Sequence, residues 1–233
     1  MAIRPFVTDD ARVVGAKLAQ LETWALIDEA QAAQSALFAL GPTPWLELTL
    51  GSVQGVAYAG AGRGFSITGP IAQGKALVLT PVDGGRPGLA LAAGVLPPWG
   101  YGRFVPPGLG AFAFAAATES LFDEGLLIHA NLGYATADEP DGRKGTVTAG
   151  IGAQVRVLGG FHGVGEVYYA DPYDPTLTVP ATQIGFRYIF SDQVQVDGTF
   201  GAAFDPGGRE DATTSGTRVW GTLGVRLVSP ELW

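Results

Sequence analysis

Over about the last sixty residues, apolar and polar side chains alternate with almost no slips. In 217–227, Val219, Leu223, Val225 and Leu227 fall on one face, and Arg218, Thr222 and Arg226 on the other. In 183–190 the apolar face is Ile184, Phe186, Tyr188 and Phe190, opposite Gln183 and Arg187. In 195–204, Val196, Phe200, Ala202 and Phe204 oppose Gln195, Asp197 and Thr199. Side chains of a strand point to opposite faces with period two, so these are strands with one greasy face and one charged face. A soluble sheet would bury the greasy face and wet the charges. A transmembrane β-barrel does the reverse, turning apolar residues to lipid and polar residues to its lumen.

The connections separate the two. Twelve strands are expected, at roughly 15–27, 33–40, 45–55, 65–80, 88–96, 110–122, 126–135, 145–157, 161–170, 180–190, 193–204 and 217–228. Tight turns with suitable residues occur at Gly41-Pro42-Thr43-Pro44, 82–87, Asp123-Glu124-Gly125, Leu158-Gly159-Gly160 and Ser191-Asp192. Longer connections fall at 52–64, 97–109, 136–144, 171–179 and 205–216. Short and long alternate along the chain. That predicts an all-β, up-and-down antiparallel transmembrane barrel of about twelve strands, with short periplasmic turns and long extracellular loops. A Greek-key sandwich would place its long crossovers irregularly. Trp45, Trp99, Tyr101, Phe104, Tyr134, Tyr169 and Phe190 lie near strand ends, where interfacial aromatic girdles sit, although aromatics are common in any β-protein.

Composition agrees. The mean hydropathy is +0.22, yet no apolar run of about 18 residues exists to form a transmembrane helix. There is no cysteine, so disulfides, thiolate metal sites and Cys nucleophiles are excluded. A net charge of −8 with no basic stripe argues against a nucleic-acid partner. The first residues lack the apolar stretch of a secretory signal. Either the protein is not exported, or the sequence opens at a mature N-terminus behind an added Met1.

Arg4-Pro5-Phe6-Val7-Thr8-Asp9-Asp10 resembles the opening of a bacterial outer-membrane transporter family named for the meta-pathway of phenol degradation. The resemblance continues through Leu46-Glu47-Leu48, Ile128-His129-Ala130-Asn131-Leu132-Gly133-Tyr134, Val164-Gly165-Glu166-Val167-Tyr168 and Ile184-Gly185-Phe186-Arg187-Tyr188. These segments follow the family order over nearly the whole chain, with a looser match over 50–125. The resemblance implies a barrel that moves small hydrophobic or aromatic compounds.

Read by alternation, the lumen face collects Glu22, Glu47, Lys75, His129 and Asn131, then Gln154, Arg156, His162 and Glu166. Gln183, Arg187, Asp197, Arg218 and Arg226 complete it. Charges of both signs in a narrow barrel should pair, because an isolated buried charge is very costly. One reading is a salt-bridged filling that holds the barrel nearly shut. The other is a polar constriction that selects solutes. Glu166 and Arg187 are expected in one connected network, with Arg226 paired to a carboxylate of the first three strands. The only histidines, His129 and His162, both fall on the lumen face, which favours hydrogen-bonded interior residues over metal ligands or a proton relay. No GxSxG motif and no outward His–Ser pair marks a lipid hydrolase or acyltransferase. Asp138, Glu139, Asp141, Asp171 and Asp174 match no calcium-loop spacing and read as solvated outer loops.

The sequence therefore predicts two parts: residues 1–14, an N-terminal periplasmic segment tucked into the barrel mouth or a loose tail, and residues 15–233, the barrel. Its partners are outer-membrane lipid and a small-molecule solute, with no catalytic residue, metal or cofactor, and the oligomeric state is left open. The leading function is a narrow outer-membrane channel. The alternatives are a non-conducting structural or surface-interaction barrel with a charge-plugged lumen, and an outer-membrane lipid-modifying enzyme.

Overall fold

The structure is a computed structural model that describes residues 6–59, 62–139, 142–173, 178–204 and 217–232. Arg4 and Pro5 of the N-terminal motif, Asp141, Asp174 and the 205–216 connection lie outside them. In chain order the strands are β1 (Ala19–Asp28), β2 (Gln31–Thr43), β3 (Leu46–Ala57), β4 (Gly64–Leu79), β5 (Gly88–Leu96), β6 (Gly100–Tyr101) and β7 (Gly110–Leu121). They continue as β8 (Leu126–Glu139), β9 (Gly142–Leu158), β10 (Phe161–Tyr169), β11 (Pro180–Ser191), β12 (Val194–Phe204) and β13 (Thr217–Val228). Each pairs antiparallel with its chain neighbour, except that β5 pairs directly with β7, and β13 returns to β1 with Glu22 opposite Arg226. The result is a closed, up-and-down barrel wall of twelve strands. β6 stands outside that count. Pro97 and Pro98 offer no N–H to a ladder, and two residues beyond them re-pair with Ile67 and Thr68 of β4.

The faces of the wall invert the usual burial rule. Along β11, Ile184 is 70% exposed on the outside while Gln183 is buried within. Along β13, Leu223 is 60% exposed while Arg226 is buried. Charged residues are almost never fully buried in a soluble core unless paired. An exterior of Leu, Ile, Val and Phe around a polar interior is the arrangement of a barrel whose solvent is lipid.

Tight turns gather at the end where β1 begins and β13 ends, called here the terminal end. Phe122, Asp123 and Glu124 all take left-handed backbone in the β7–β8 turn. Asp83, from the neighbouring β4–β5 turn, holds them there. Its carboxylate accepts from Ser120 Oγ at 2.6 Å, Asp123 N–H at 2.9 Å and Glu124 N–H at 3.2 Å. The Ser120 hydroxyl, then those two amides, draw its pKa below the usual 3.8.

Several boundaries depart from the sequence reading. β1 begins at Ala19 rather than 15, because Gly15 and Lys17 adopt positive φ and Lys17 N–H turns to the Gly41 carbonyl. β3 and β4 extend to Ala57 and Gly64, so most of the expected 52–64 loop is wall. β8 and β9 likewise extend to Glu139 and Gly142, which shortens the expected 136–144 loop. Glycine and alanine erase the alternation there while still fitting the wall; a Cβ at Gly55 would strike the Ala32 carbonyl of β2. At the opposite, loop end, β1 and β2 are joined by residues 29–30 alone. There Asp28 accepts from Ala30 and Gln31 N–H at 2.7 and 2.8 Å, an Asx turn that breaks the short–long rule.

Candidate functional site: the lumen

The lumen divides into two halves by height. Toward the terminal end the inner wall is polar and charged: Glu22, Glu47, Lys75, His129, His162, Arg187, Asp197 and Arg226 are all buried. Residues 6–14 run into this half from the terminal mouth. Their backbone donors are taken by the wall. Val14 N–H donates to Glu47 at 2.9 Å, Ala11 N–H to Thr118 Oγ1 at 2.8 Å, and Val7 and Thr8 N–H to the two oxygens of Glu166 at 2.9 and 2.8 Å. Lys75 Nζ lies 3.1 Å from Asp9 and 3.9 Å from Asp10. Asp10 is bridged by Arg12, which also reaches Glu124 at the mouth. Phe6 stands 6.0 Å from the Arg187 guanidinium. Phe6, Asp10 and Ala11 are buried. Asp10 and Arg12 N–H are satisfied within the segment, by the Asp9 and Asp10 carboxylates at 2.9 Å each, and the amides of Val7, Thr8, Ala11 and Val14 borrow wall acceptors.

The wall charges are joined through amide side chains. Arg187 donates to Gln154 Oε1 at 2.6 Å and lies 3.8 Å from Asp197, its partner in register. Asp197 accepts from Gln195, and Gln195 Oε1 accepts from Arg226. Arg226 donates to Gln20 Oε1 at 2.7 Å, and Gln20 donates onward to Glu22 at 2.9 Å. Arg226 thus communicates with a β1 carboxylate through a glutamine. Glu166 and Arg187 do not face each other directly. The register sets Glu166 against Gln183, which donates to it at 2.5 Å, and Arg187 against His162. The two are linked by the N-terminal segment, whose Phe6 meets Arg187 and whose Val7 and Thr8 bind Glu166.

The other sequence candidates divide. His129 is buried with Nδ1 3.0 Å from Thr118 Oγ1, and Asn131 lines a small void with Val7, Thr8, Phe114 and Gly150. His162 Nδ1 lies 3.1 Å from the Gly160 carbonyl. Arg156 stands apart from the charged lumen: it is exposed at the terminal mouth and donates to the Asp123 carbonyl at 2.9 Å. Arg218 is also peripheral, pairing with Asp28 across β13 and β1 at the loop end.

The loop half of the lumen is apolar and aromatic. Phe112 and Phe114 stack at 6.2 Å beside buried Ile71, Ala92 and Leu96. Tyr173, from the β10–β11 connection, packs on Phe112 at 4.9 Å and reaches Gln73 at 2.5 Å. On the facing side Tyr168 and Trp220 pack with Val7 and Leu26. Sequence reading by polarity missed these residues, because β7 alternates phenylalanine with alanine and carries no polar face at that height. The signal lay further along the strand: residues 112, 114 and 116 share a face with Thr118 and Ser120. A second small void lies where the halves meet, between Asp9, Glu22, Glu47, Gln73 and Tyr173.

The shape is that of known outer-membrane barrels. An outer-membrane channel from Pseudomonas putida F1 is similar over 94% of this chain and 98% of its own, with TM-score 0.68 and 9% identity. The KdgM porin, solved in complex with disordered oligogalacturonate, is similar over 89% and 98%, with TM-score 0.61 and 9% identity. The NanC porin gives 90% and 98%, TM-score 0.59 and 9% identity. These likenesses define the fold as a porin-type twelve-strand barrel. No family model and no curated protein matches the chain.

Proposed function

We propose that this protein is a narrow channel of the bacterial outer membrane for small hydrophobic or aromatic solutes, gated by its own residues 6–14. The observation that carries this reading is the vertical division of the lumen. An aromatic vestibule built from Phe112, Phe114, Tyr168, Tyr173 and Trp220 leads to a charged half occupied by a segment that is not part of the wall. Aromatic side chains offer large apolar contact area to a planar solute, and a hydrogen-bonded, non-wall segment can leave without opening the barrel. The vestibule agrees with the transport role implied by the sequence resemblance to the meta-pathway transporter family. The same reading makes the inward histidines part of the lumen lining and gives the protein no enzymatic role.

A second reading, a non-conducting plugged barrel, is favoured by the number of bonds that pin residues 6–14 to β3, β4, β7 and β10. Planar-bilayer recording separates the two. The channel predicts small steps from the full chain and larger, longer steps when residues 1–14 are deleted. Silence from both proteins would refute it and leave the plug. In liposome flux assays, Phe112→Ala and Trp220→Ala should slow aromatic solutes more than sugars of similar size.

A further inference from the structure

One patch of the barrel exterior contradicts the rest of it. On the outward faces of β1, β2 and β3, Thr23, Gln34 and Gln54 form a hydrogen-bonded ladder. Gln54 Nε2 donates to Gln34 Oε1 at 3.1 Å, Gln34 Nε2 to Thr23 Oγ1 at 3.2 Å, and Thr23 Oγ1 to the Ser35 carbonyl at 2.9 Å. Both glutamines are exposed. The register fixes their row. Ala25, Gln34, Gln54 and Ile67 form one cross-strand row; Ile27, Ala32, Val56 and Phe65 lie on the loop side of it, and Leu21, Phe38 and Leu50 on the terminal side. Apolar residues therefore flank the ladder on both sides along the strands, and the row continues through Ile67 to Tyr101 at its edge. Among the described residues these bonds leave Gln54 Oε1 and one N–H on each amide without a partner, and lipid tails offer them none.

We propose that this patch is the contact surface for a second copy of the same chain, forming a twofold dimer in the membrane. An amide presents both a donor and an acceptor, so an identical ladder is its own complement. A twofold axis along the membrane normal keeps both copies inserted in the same sense and sets the two ladders at equal depth, face to face. Ala25, Ala32, Ala36 and Ser52, on β1, β2 and β3, lie beside the amides, and the apolar Val56 and Ile67 border Gln54, so a partner wall meets small residues around the ladder and apolar contact at its edge. Lipid is the poorer occupant. Acyl tails carry no hydrogen-bonding group at most depths, and the turn above the patch exposes the carboxylate of Glu29 rather than a cation for lipid phosphate. The proposal rests on the exterior being lipid-facing and is independent of whether the lumen conducts.

The absence of cysteine makes a clean test. Ala32→Cys and Ala36→Cys, each as the sole cysteine in the full chain, are oxidised in native membranes, with Ile151→Cys on the opposite wall as control. The first two should give a disulfide-linked dimer and the control none. In mild detergent the wild-type protein–detergent complex should contain two chains, and the Thr23→Val, Gln34→Leu, Gln54→Leu variant one. Heat-dependent gel mobility reports that each variant is a folded barrel, so a failed fold is distinguished from a lost contact. Cross-linking at Ala32 and Ala36 no greater than at Ile151, in folded protein, overturns the proposal. A single chain in the complex, with lipid retained at the patch and released by the triple variant, overturns it in favour of lipid.

Discussion

Glu166→Gln tests whether residues 6–14 are a detachable part of the lumen. The wild-type carboxylate accepts three donors: Val7 N–H and Gln183 Nε2 on one oxygen, and Thr8 N–H on the other. An amide of the same shape has one acceptor oxygen. In either orientation its NH2 group must face a backbone N–H that cannot turn away, so at least one bond is lost and two donors are opposed. A hydrogen bond to a charged group contributes about 1.5–3 kcal/mol, and a buried donor left unsatisfied costs about 1–3 kcal/mol. The two overlap, so roughly 2–4 kcal/mol of docking free energy should go, a shift of about 30- to 1000-fold toward the released segment at about 1.4 kcal/mol per decade. Glu166 does not bond to Arg187 directly, so the wall should survive the change.

Two readouts follow from one protein. Hydrogen exchange at the Val7 and Thr8 amides should accelerate by that factor, while amides of β10 and β11 keep their protection. In planar bilayers the open fraction should rise in the same proportion. Unchanged exchange at Val7 and Thr8 would refute the docking argument whatever the conductance does. Faster exchange with no change in conductance would leave the docking intact and refute the gate.

Two further outcomes are expected. Arg187→Met leaves Asp197 and Gln154 facing an apolar side chain in a buried site; removing one partner of a buried ion pair costs about 3–5 kcal/mol, which should appear as a lower denaturant midpoint for barrel unfolding, largely restored in the Arg187→Met, Asp197→Leu double variant. The Asp83 clamp should be pH-dependent: because its pKa is depressed on folding, its contribution is complete above the usual 3.8 and is lost as pH falls through the lower, folded value. Exchange at the Asp123 and Glu124 amides should therefore quicken in acid below that value, and Asp83→Asn should abolish the dependence.

The barrel was legible in the sequence where large residues alternate with charges. β11, β12 and β13 each carry a largely apolar outer face, and Arg187, Asp197 and Arg226 are buried on the opposite one. Sheet register was not legible. Alternation says which face Glu166 and Arg187 share, but their offset along the wall is set by turn geometry and bulges, and the actual partner of Glu166 is Gln183. The aromatic vestibule was hidden for a different reason: over 111–117 both faces of β7 are apolar, so polarity cannot tell lumen from lipid, and the continuation is divided, with Thr118 and Ser120 on the inner face and Glu119 on the outer. The outward ladder defeats the polarity rule outright. Gln34 and Gln54 would be assigned to the lumen by type, and it is their strand neighbours Phe38 and Leu50 that place them outside.

The last prediction concerns what the lumen does with its charges when the segment leaves. Glu47 and Lys75 are direct cross-strand partners on the lumen side, yet with the segment docked each is engaged by it: Glu47 accepts Val14 N–H, and Lys75 binds Asp9 at 3.1 Å. On release the wall lysine and wall glutamate remain opposite one another and can pair, so neither is stranded. Asp197 has no equivalent when Arg187 is removed, because its register partner is the residue lost. Asp9→Asn should therefore loosen residues 6–14 while leaving the barrel's unfolding free energy within about 1 kcal/mol of wild type, against the roughly 3–5 kcal/mol loss expected for Arg187→Met. Exchange at the Ala11 and Val14 amides measures the first effect, and denaturant unfolding the second. A barrel midpoint that falls as far for Asp9→Asn as for Arg187→Met would mean that Lys75 depends on Asp9 for the fold itself, and the segment would then be a structural element of the barrel rather than its gate.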